Sequence, residues 1–125
     1  MPYLIVFLGA GLGGALRHGV NVAAARYAAF PVGTMTVNVL GSFLMGLLAG
    51  YVMHHTGISQ QTRLFLVTGV LGGFTTFSAF SLDAALLIER HQYGLAAGYV
   101  AGSVIAAISA LFIGLALFRG AGDLS

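Results

Sequence analysis

The stretch from Gly72 to Ser81 has the residue types best suited to chemistry in this chain: Gly-Gly-Phe-Thr-Thr-Phe-Ser-Ala-Phe-Ser. It combines two adjacent glycines, a threonine pair and four small hydroxyl side chains in ten residues, with apolar sequence on both sides. Glycines and threonine pairs loosen a helix and free backbone carbonyls, which hydrocarbon cannot satisfy. Such a break survives at membrane depth only where protein, an ion or a water-lined cavity covers it. The stretch therefore predicts a helix break with a polar partner.

Phe77 and Phe80 stand three residues apart, so they are neighbours on one face of a helix. They follow the predicted break directly and alternate with Ser78 and Ser81. Because a phenyl ring has a positive edge, the ring edges could face a small anion without the full charge that would trap it. Thr76 and Ser78 could add hydroxyl donors. The alternative for two aromatic residues at this spacing is ordinary core packing.

Polar side chains also occur in the second and fourth apolar segments. Asn38 stands in the middle of the second segment, where an amide is expensive unless it has a partner. It belongs to a row with four-residue spacing, which shares one helix face: Thr34, Asn38, Ser42, Gly46 and Gly50. Two interpretations are open: hydrogen bonding between helices, or a pair of donors for a passing anion. In the fourth segment Tyr99 and Ser103, four residues apart, could continue a polar path.

Arg17 and Asp83 are charged residues close to apolar sequence. A buried or interfacial arginine is costly, so we expect Arg17 to meet backbone carbonyls, Asp83 or a vestibule. An anion-attracting role and a structural role are both open for Arg17. Asp83 lies two turns after the break, about 10 Å along a helix axis, which places it near the membrane interface.

The composition of the chain excludes most soluble classes of protein. Its 125 residues are 58% hydrophobic and 6% charged, with a mean hydropathy of +0.97, whereas soluble domains have about 25% charged residues. The absence of cysteine argues against a disulfide scaffold, a thiolate metal site and a thiol nucleophile. The five arginines are too scattered for a nucleic-acid surface. We expect an all-α integral membrane protein, and not an enzyme, since no set of nucleophile, base and acid is visible.

Four apolar segments are long enough to span a bilayer, which takes roughly 20 residues. Their approximate bounds are 3–25, 32–53, 63–89 with a break near 72–76, and 93–118. Arg26, Phe30 and Pro31 mark the first loop, and the second segment ends at His54-His55-Thr56-Gly57. With no long linker and no convincing repeat, residues 1–125 are predicted to form a single four-span domain.

Small residues recur every four positions in three of these segments. Such rows let helix backbones approach closely, which drives helix association in lipid. Most of them should pack one bundle, but four spans enclose little interior, so some rows should serve a second subunit. The rows are Gly9 and Gly13; Gly46 and Gly50; and Gly94, Gly98, Gly102, Ala106, Ala110 and Gly114.

The basic residues give almost no preferred orientation. Arg26 and Arg90 lie on one side of the predicted topology, and Arg63 and Arg119 on the other. Topology follows an excess of basic residues on one side, and here the two sides nearly balance. The chain is therefore predicted to insert both ways, so that opposite orientations pair as an antiparallel dimer.

These motifs resemble those of a known family. The stretch from Gly72 to Ser81 resembles the GGFTTFS-x-F signature of the Fluc (CrcB-type) fluoride channels. Gly33-Thr34 with residues 37–43 is similar to that family's G-T-x3-N-x2-G-x-F motif, and residues 14–17 to its G-x2-R element. The resemblance covers essentially the whole chain, and its third-segment motif is highly specific.

The resemblance implies a dual-topology antiparallel homodimer with two fluoride pores at the subunit interface. It implies a structural sodium ion on the two-fold axis, bound by backbone carbonyls that correspond to Gly72 and Thr75. Phe77 and Phe80 would line the pores, and Asn38 would be the pore-facing amide.

Further positions carry over from the same resemblance. Tyr99 and Ser103 fall where the family has a polar track on its fourth helix, which Ala107 shortens here. Arg17 matches a family arginine whose role stays open. Thr76 and Ser78 would add hydroxyl groups to the pore.

The function that the resemblance implies is passive export of fluoride across the cell (inner) membrane, which lowers cytoplasmic fluoride. A small proton-coupled multidrug exporter shares the four spans and the balanced charge, but its mechanism needs a carboxylate in mid-membrane. Asp83 and Glu89 are the only acids before the tail, and neither is central. A non-transporting assembly subunit is the third possibility; it would leave Asn38 and the broken helix unexplained.

Overall fold

The structure, a computed structural model, describes residues 1–24, 31–54 and 57–123, and only the backbone of residues 52–54 and 118–123. Within these residues it contains helices and no strand. In the described residues, four helical segments are long and apolar enough to cross a membrane, and the third of them, Gln60–Glu89, contains two helices separated by a break. The prediction of an all-α, multi-pass membrane protein is therefore confirmed. The helices are α1 (Pro2–Ala24), α2 (Val32–His54), α3 (residues 60–74), α4 (Ser78–Glu89) and α5 (Tyr93–Asp123).

Several helix ends differ from the sequence prediction, most of all the start of α3 and the end of α5. Helix α3 begins at Gln60 instead of Arg63, because the Ser59 hydroxyl accepts a hydrogen bond from the Thr62 amide at 3.1 Å and caps the helix. Helix α5 continues to Asp123, five residues beyond the expected 118. His54, expected in a loop, is the last residue of α2. The predicted loop positions Arg26, Phe30, His55 and Thr56 lie outside the described residues.

The third span is irregular from its beginning to its break. Helix α3 consists of an α turn (Gln60–Arg63), a π-helical segment (Leu64–Leu71) and a final α turn (Gly72–Phe74). The chain then becomes extended at Thr75, with φ −85° and ψ 156°, and helix α4 begins at Ser78. The break thus falls on residues 75–77, while both glycines of the motif are helical.

Close backbone approach packs the four spans in two pairs, α1 against α3 and α2 against α5. A side chain at Gly13 would overlap the Val70 carbonyl of α3, and one at Gly46 would overlap the Leu111 carbonyl of α5. The two ends of the long small-residue row of α5 have different surroundings. Its end at Gly114 packs closely against α2, whereas Gly94 and Gly98 are exposed and face open space.

A cluster of buried side chains lies where α2, α4 and α5 meet. Leu87, Ala96 and Tyr99 form this cluster, against which Met35 and Phe80 pack. Elsewhere the helices present large apolar side chains outward, as a hydrocarbon solvent requires. This cluster fixes the position of α4, the half-helix that follows the break.

Candidate functional site

The broken span is held by an amide from the neighbouring helix. Asn38 of α2 donates from Nδ2 to the Thr76 carbonyl at 3.1 Å, and its Oδ1 accepts from the Thr76 amide at 3.0 Å. Both backbone groups of one residue in the break are thus satisfied by a single side chain. Of the two interpretations of Asn38, hydrogen bonding between helices is what the structure contains. One Nδ2 hydrogen stays available for a second acceptor.

Side chains on both sides of the break satisfy further backbone groups. The partly buried Arg17 of α1 donates from Nε to the Gly73 carbonyl at 3.2 Å, so its partner is a backbone carbonyl. The Thr75 hydroxyl donates to the Leu71 carbonyl at 2.9 Å. The Thr76 hydroxyl accepts from the Ala79 amide at 3.3 Å, one of the first-turn amides of α4 that have no partner within the helix. Two neighbouring helices, α1 and α2, and the threonines of the break itself therefore hold the broken span.

The carbonyls of Gly72 and Thr75 lose the donors that a continuous helix would give them. In an α-helix the amide four residues ahead donates to each carbonyl, here the amides of Thr76 and Ala79. Both amides are turned elsewhere, to Asn38 Oδ1 and to the Thr76 hydroxyl. Gly72 is exposed on the surface of the chain and Thr75 is half-buried. Both carbonyl oxygens are therefore released from the regular helical pattern.

A groove of about 470 Å³ runs beside the break, between α2 and α5. Its polar side chains come from five residues on three elements: Asn38, Ser42, Thr75, Thr76 and Ser103. The remaining walls are apolar and include Phe77, Phe80, Met45 and Ala107. Of the predicted pore residues, the groove brings together Asn38, Thr76, Phe77, Phe80 and Ser103. Ser78 and Tyr99 do not line it.

The two phenylalanines are in contact but have different surroundings. Their ring centroids lie 5.7 Å apart with the rings tilted by 44°. Phe77 is 78% exposed on the isolated chain. Phe80 is half-buried and packs on Tyr99, with ring centroids 5.2 Å apart. Phe80 therefore belongs both to the groove and to the buried cluster, whereas Phe77 projects from its own chain.

Tyr99 and Ser103 have separate environments although they share a helix face. Tyr99 is fully buried, and its hydroxyl donates to Asp83 Oδ2 of α4 at 3.1 Å. Ser103 is 4% exposed, lines the groove, and its hydroxyl has no hydrogen-bond partner among the described residues. A buried hydroxyl without a partner is costly. Ser103 is thus the residue of this helix that offers a donor to the groove.

Sequence reasoning missed the contribution of Ser42 and the pairing of Tyr99 with Asp83. Ser42 stands one turn after Asn38 in the row with four-residue spacing, so that row was a usable signal for its place in the groove. The pairing of Tyr99 with Asp83 joins two helices across 16 positions. No local pattern in the sequence indicates it.

The fold and the groove define a multi-pass membrane protein with a discontinuous span, an architecture in which broken helices line binding sites for ions and substrates. Residues 4–115 match the model of the family described as "CrcB-like protein, Camphor Resistance (CrcB)". The chain belongs to this family, as its motifs indicated.

Its curated relatives are similar over almost their whole length. A "Fluoride-specific ion channel FluC" of Rhodopseudomonas palustris (strain BisB5) is 60% identical, over 95% of this chain and 98% of the relative. One of the same name from Methylobacterium nodulans is 59% identical, over 93% and 94% of the two chains. A "Fluoride-specific ion channel FluC 2" of Nitrobacter hamburgensis is 57% identical, over 95% and 98%. Membership of a family of ion channels confirms the prediction that the chain is not an enzyme.

Proposed function

We propose that this chain is a fluoride-specific channel that lets fluoride leave the cytoplasm down its electrochemical gradient. The observation that carries the proposal is the groove beside the broken span, which collects Asn38, Phe77, Phe80 and the unpartnered Ser103 hydroxyl. The names of the relatives, fluoride-specific ion channels, supply the identity of the ion.

The groove offers a small anion donors without a full positive charge. Fluoride is strongly hydrated, so groups along its path must replace water without holding it too tightly. The Ser103 hydroxyl and the second Nδ2 hydrogen of Asn38 are donors on the groove wall, which the Ser42 hydroxyl group also lines. The positive edges of Phe77 and Phe80 add a weaker attraction. Such a donor set allows the ion to enter and to leave.

The other predicted pore residues have supporting roles in this proposal. The Tyr99 hydroxyl donates to Asp83, so Tyr99 acts by supporting the Phe80 ring. The Thr76 hydroxyl accepts from the Ala79 amide and contacts Ser78 Oγ at 3.3 Å, so these two residues shape the break. Arg17 acts on the same backbone through Gly73.

A second, antiparallel copy of the chain completes the pores in this proposal. The exposed Phe77 ring, the exposed Gly72 and the open surfaces of Gly94 and Gly98 support it, since each would gain a neighbour. The near balance of arginines between the two sides supports dual insertion in the cell membrane. Reporter fusions that place the C-terminus on one side only would refute this arrangement.

The released carbonyls of Gly72 and Thr75 fit a hard cation, because both offer neutral oxygen ligands. We propose that they hold a structural sodium ion together with the same carbonyls of the second copy. When bound, the ion would supply positive charge that offsets the cost of anions nearby. Arg17 donates to the Gly73 carbonyl, so that carbonyl is already engaged and is not one of the proposed ligands. Sodium should raise the melting temperature of the purified protein more than potassium or a large organic cation; equal effects would contradict the site.

Efflux from liposomes tests the channel directly. Reconstituted protein should release fluoride, followed with an ion-selective electrode, and should release chloride far more slowly. Absence of fluoride efflux from well-incorporated protein, or equal efflux of both ions, would refute the proposal. A proton-coupled exporter is disfavoured because no carboxylate lines the groove in the described part of the chain.

A further inference from the structure

A second cavity lies at the other end of α2, far from the break. It encloses about 390 Å³ between the last turns of α2 and the first turns of α3. Its inner wall is apolar and includes Leu48, Leu66 and Val67. Its mouth is polar and includes Ser59, Thr62 and Arg63. The cavity therefore changes from apolar to cationic over about one helical turn.

The position of the cavity matches the boundary between hydrocarbon and lipid headgroups. Helix α2 ends at His54 and α3 begins at Gln60, so both helices leave the membrane close to the cavity mouth. Arg63 is exposed and stands in the first turn of α3, whereas Leu66 and Val67 lie one turn deeper in the span. An arginine at this depth reaches the headgroup layer.

The charge of Arg63 has no described carboxylate to neutralise it. Among the described side chains the carboxylates are those of Asp83 and Glu89. Asp83 is bonded to Tyr99, and Glu89 ends the same 30-residue span at the opposite side of the bilayer. Among the described side chains at this end of the bundle, no carboxylate competes with lipid headgroups for Arg63.

We infer that this cavity binds one anionic phospholipid, with its phosphate at Arg63 and the start of an acyl chain along Leu48 and Leu66. A basic residue at the mouth of a cleft between spans is the arrangement that recognises anionic headgroups. The apolar inner wall favours a lipid over free phosphate as the occupant, because free phosphate would leave that wall uncovered. This inference does not depend on the proposed channel activity.

Native mass spectrometry of the purified chain tests the inference. Phosphatidylglycerol and phosphatidylcholine with the same acyl chains are titrated onto wild type, Arg63→Gln, Arg63→Lys and the matched control Arg90→Gln. Arg90 is an exposed arginine in the turn after α4, on the opposite side of the membrane. Wild type should prefer phosphatidylglycerol, and Arg63→Gln should bind it about fivefold more weakly, the effect of one interfacial charge. Arg63→Lys should retain the preference, and Arg90→Gln should leave it unchanged.

Three results would overturn the inference. They are equal binding of the two lipids by wild type, the same loss of binding in Arg63→Gln and Arg90→Gln, and displacement of phosphatidylglycerol from wild type by inorganic phosphate. The first and third use the unmodified protein, so the test stands even if an arginine variant fails to fold. Persistence of the lipid in the presence of inorganic phosphate supports the contribution of the acyl chain.

Discussion

Replacement of Asn38 separates a role in holding the broken helix from a role in contacting the ion. Asn38→Ala removes both hydrogen bonds to Thr76, at 3.0 and 3.1 Å. A hydrogen bond between spans contributes about 0.6 kcal/mol on average and up to about 1.7. Loss of the two should lower the free energy of unfolding by about 1–3 kcal/mol. Fluoride efflux should fall as well, since the groove beside the break would lose its shape.

The assay pairs two measurements on the same preparations. Unfolding in mixed micelles with increasing denaturing detergent gives the free energy, and liposome efflux gives the transport rate. Ser42→Ala is the matched control: it lies one turn further along α2, in the same groove, and makes no hydrogen bond to the break among the described residues. Its free energy of unfolding should change by less than about 0.5 kcal/mol. An Asn38→Ala protein with wild-type stability would refute the reasoning, whatever its efflux, because the amide would then be a contact for the ion alone.

The remaining predictions use the same two measurements. Phe80→Ala should lose efflux and at least about 0.5–1.5 kcal/mol of stability, which is the contribution of one aromatic pair beyond the burial of its surface. Phe77→Ala should lose efflux and cost less stability, because its ring is 78% exposed and gives up mainly its contact with Phe80; equal destabilisation by the two variants would contradict the difference in burial. Ser103→Ala should reduce efflux but keep or raise stability by about 1 kcal/mol, since it removes an unpartnered buried hydroxyl; a less stable variant would imply a partner for that hydroxyl. Gly13→Ala should lower the free energy of unfolding by about 1–3 kcal/mol, because the added methyl group would overlap the backbone of α3. Gly98→Ala should fold normally and weaken only the assembly of two copies, as measured by cross-linking. Intact assembly of Gly98→Ala would mean that Gly98 faces lipid.

The sequence was sufficient to predict the four spans and the existence of the break. Long apolar segments leave few alternatives for a chain with so few charges, and the threonine pair marked the weak point of the third span. The particular residues that leave the helix were less predictable. The glycines stay helical, and the break falls where the Asn38 side chain of another helix can hydrogen-bond to the Thr76 backbone. The position of a break therefore depends on a tertiary contact that residue types alone do not contain.

The same limit applies to the residues of the site. Asn38 and Ser103 could be identified because a polar side chain inside an apolar span is costly and usually has a partner or a function. The different environments of Phe77 and Phe80 could not, since three-residue spacing makes both neighbours on one face. Tyr99 and Ser103 share a face in sequence, yet one hydroxyl is bonded to Asp83 and the other opens to the groove. Partners contributed by other helices decide between these outcomes.

The π-helical segment before the break sets the direction in which the break faces. Helix α1 meets α3 along one row of backbone positions: Phe65, Gly69, Val70, Gly73 and Phe74. From Phe65 to Phe74 a regular α-helix would make about two and a half turns and place these two residues on opposite faces. The wider π turns of Leu64–Leu71 reduce that rotation. Insertion or deletion of one residue here would rotate Thr76 by about 100° relative to α1 and away from Asn38. The number of residues in this segment therefore determines how the rest of the third span is rotated about its axis relative to α1 and α2.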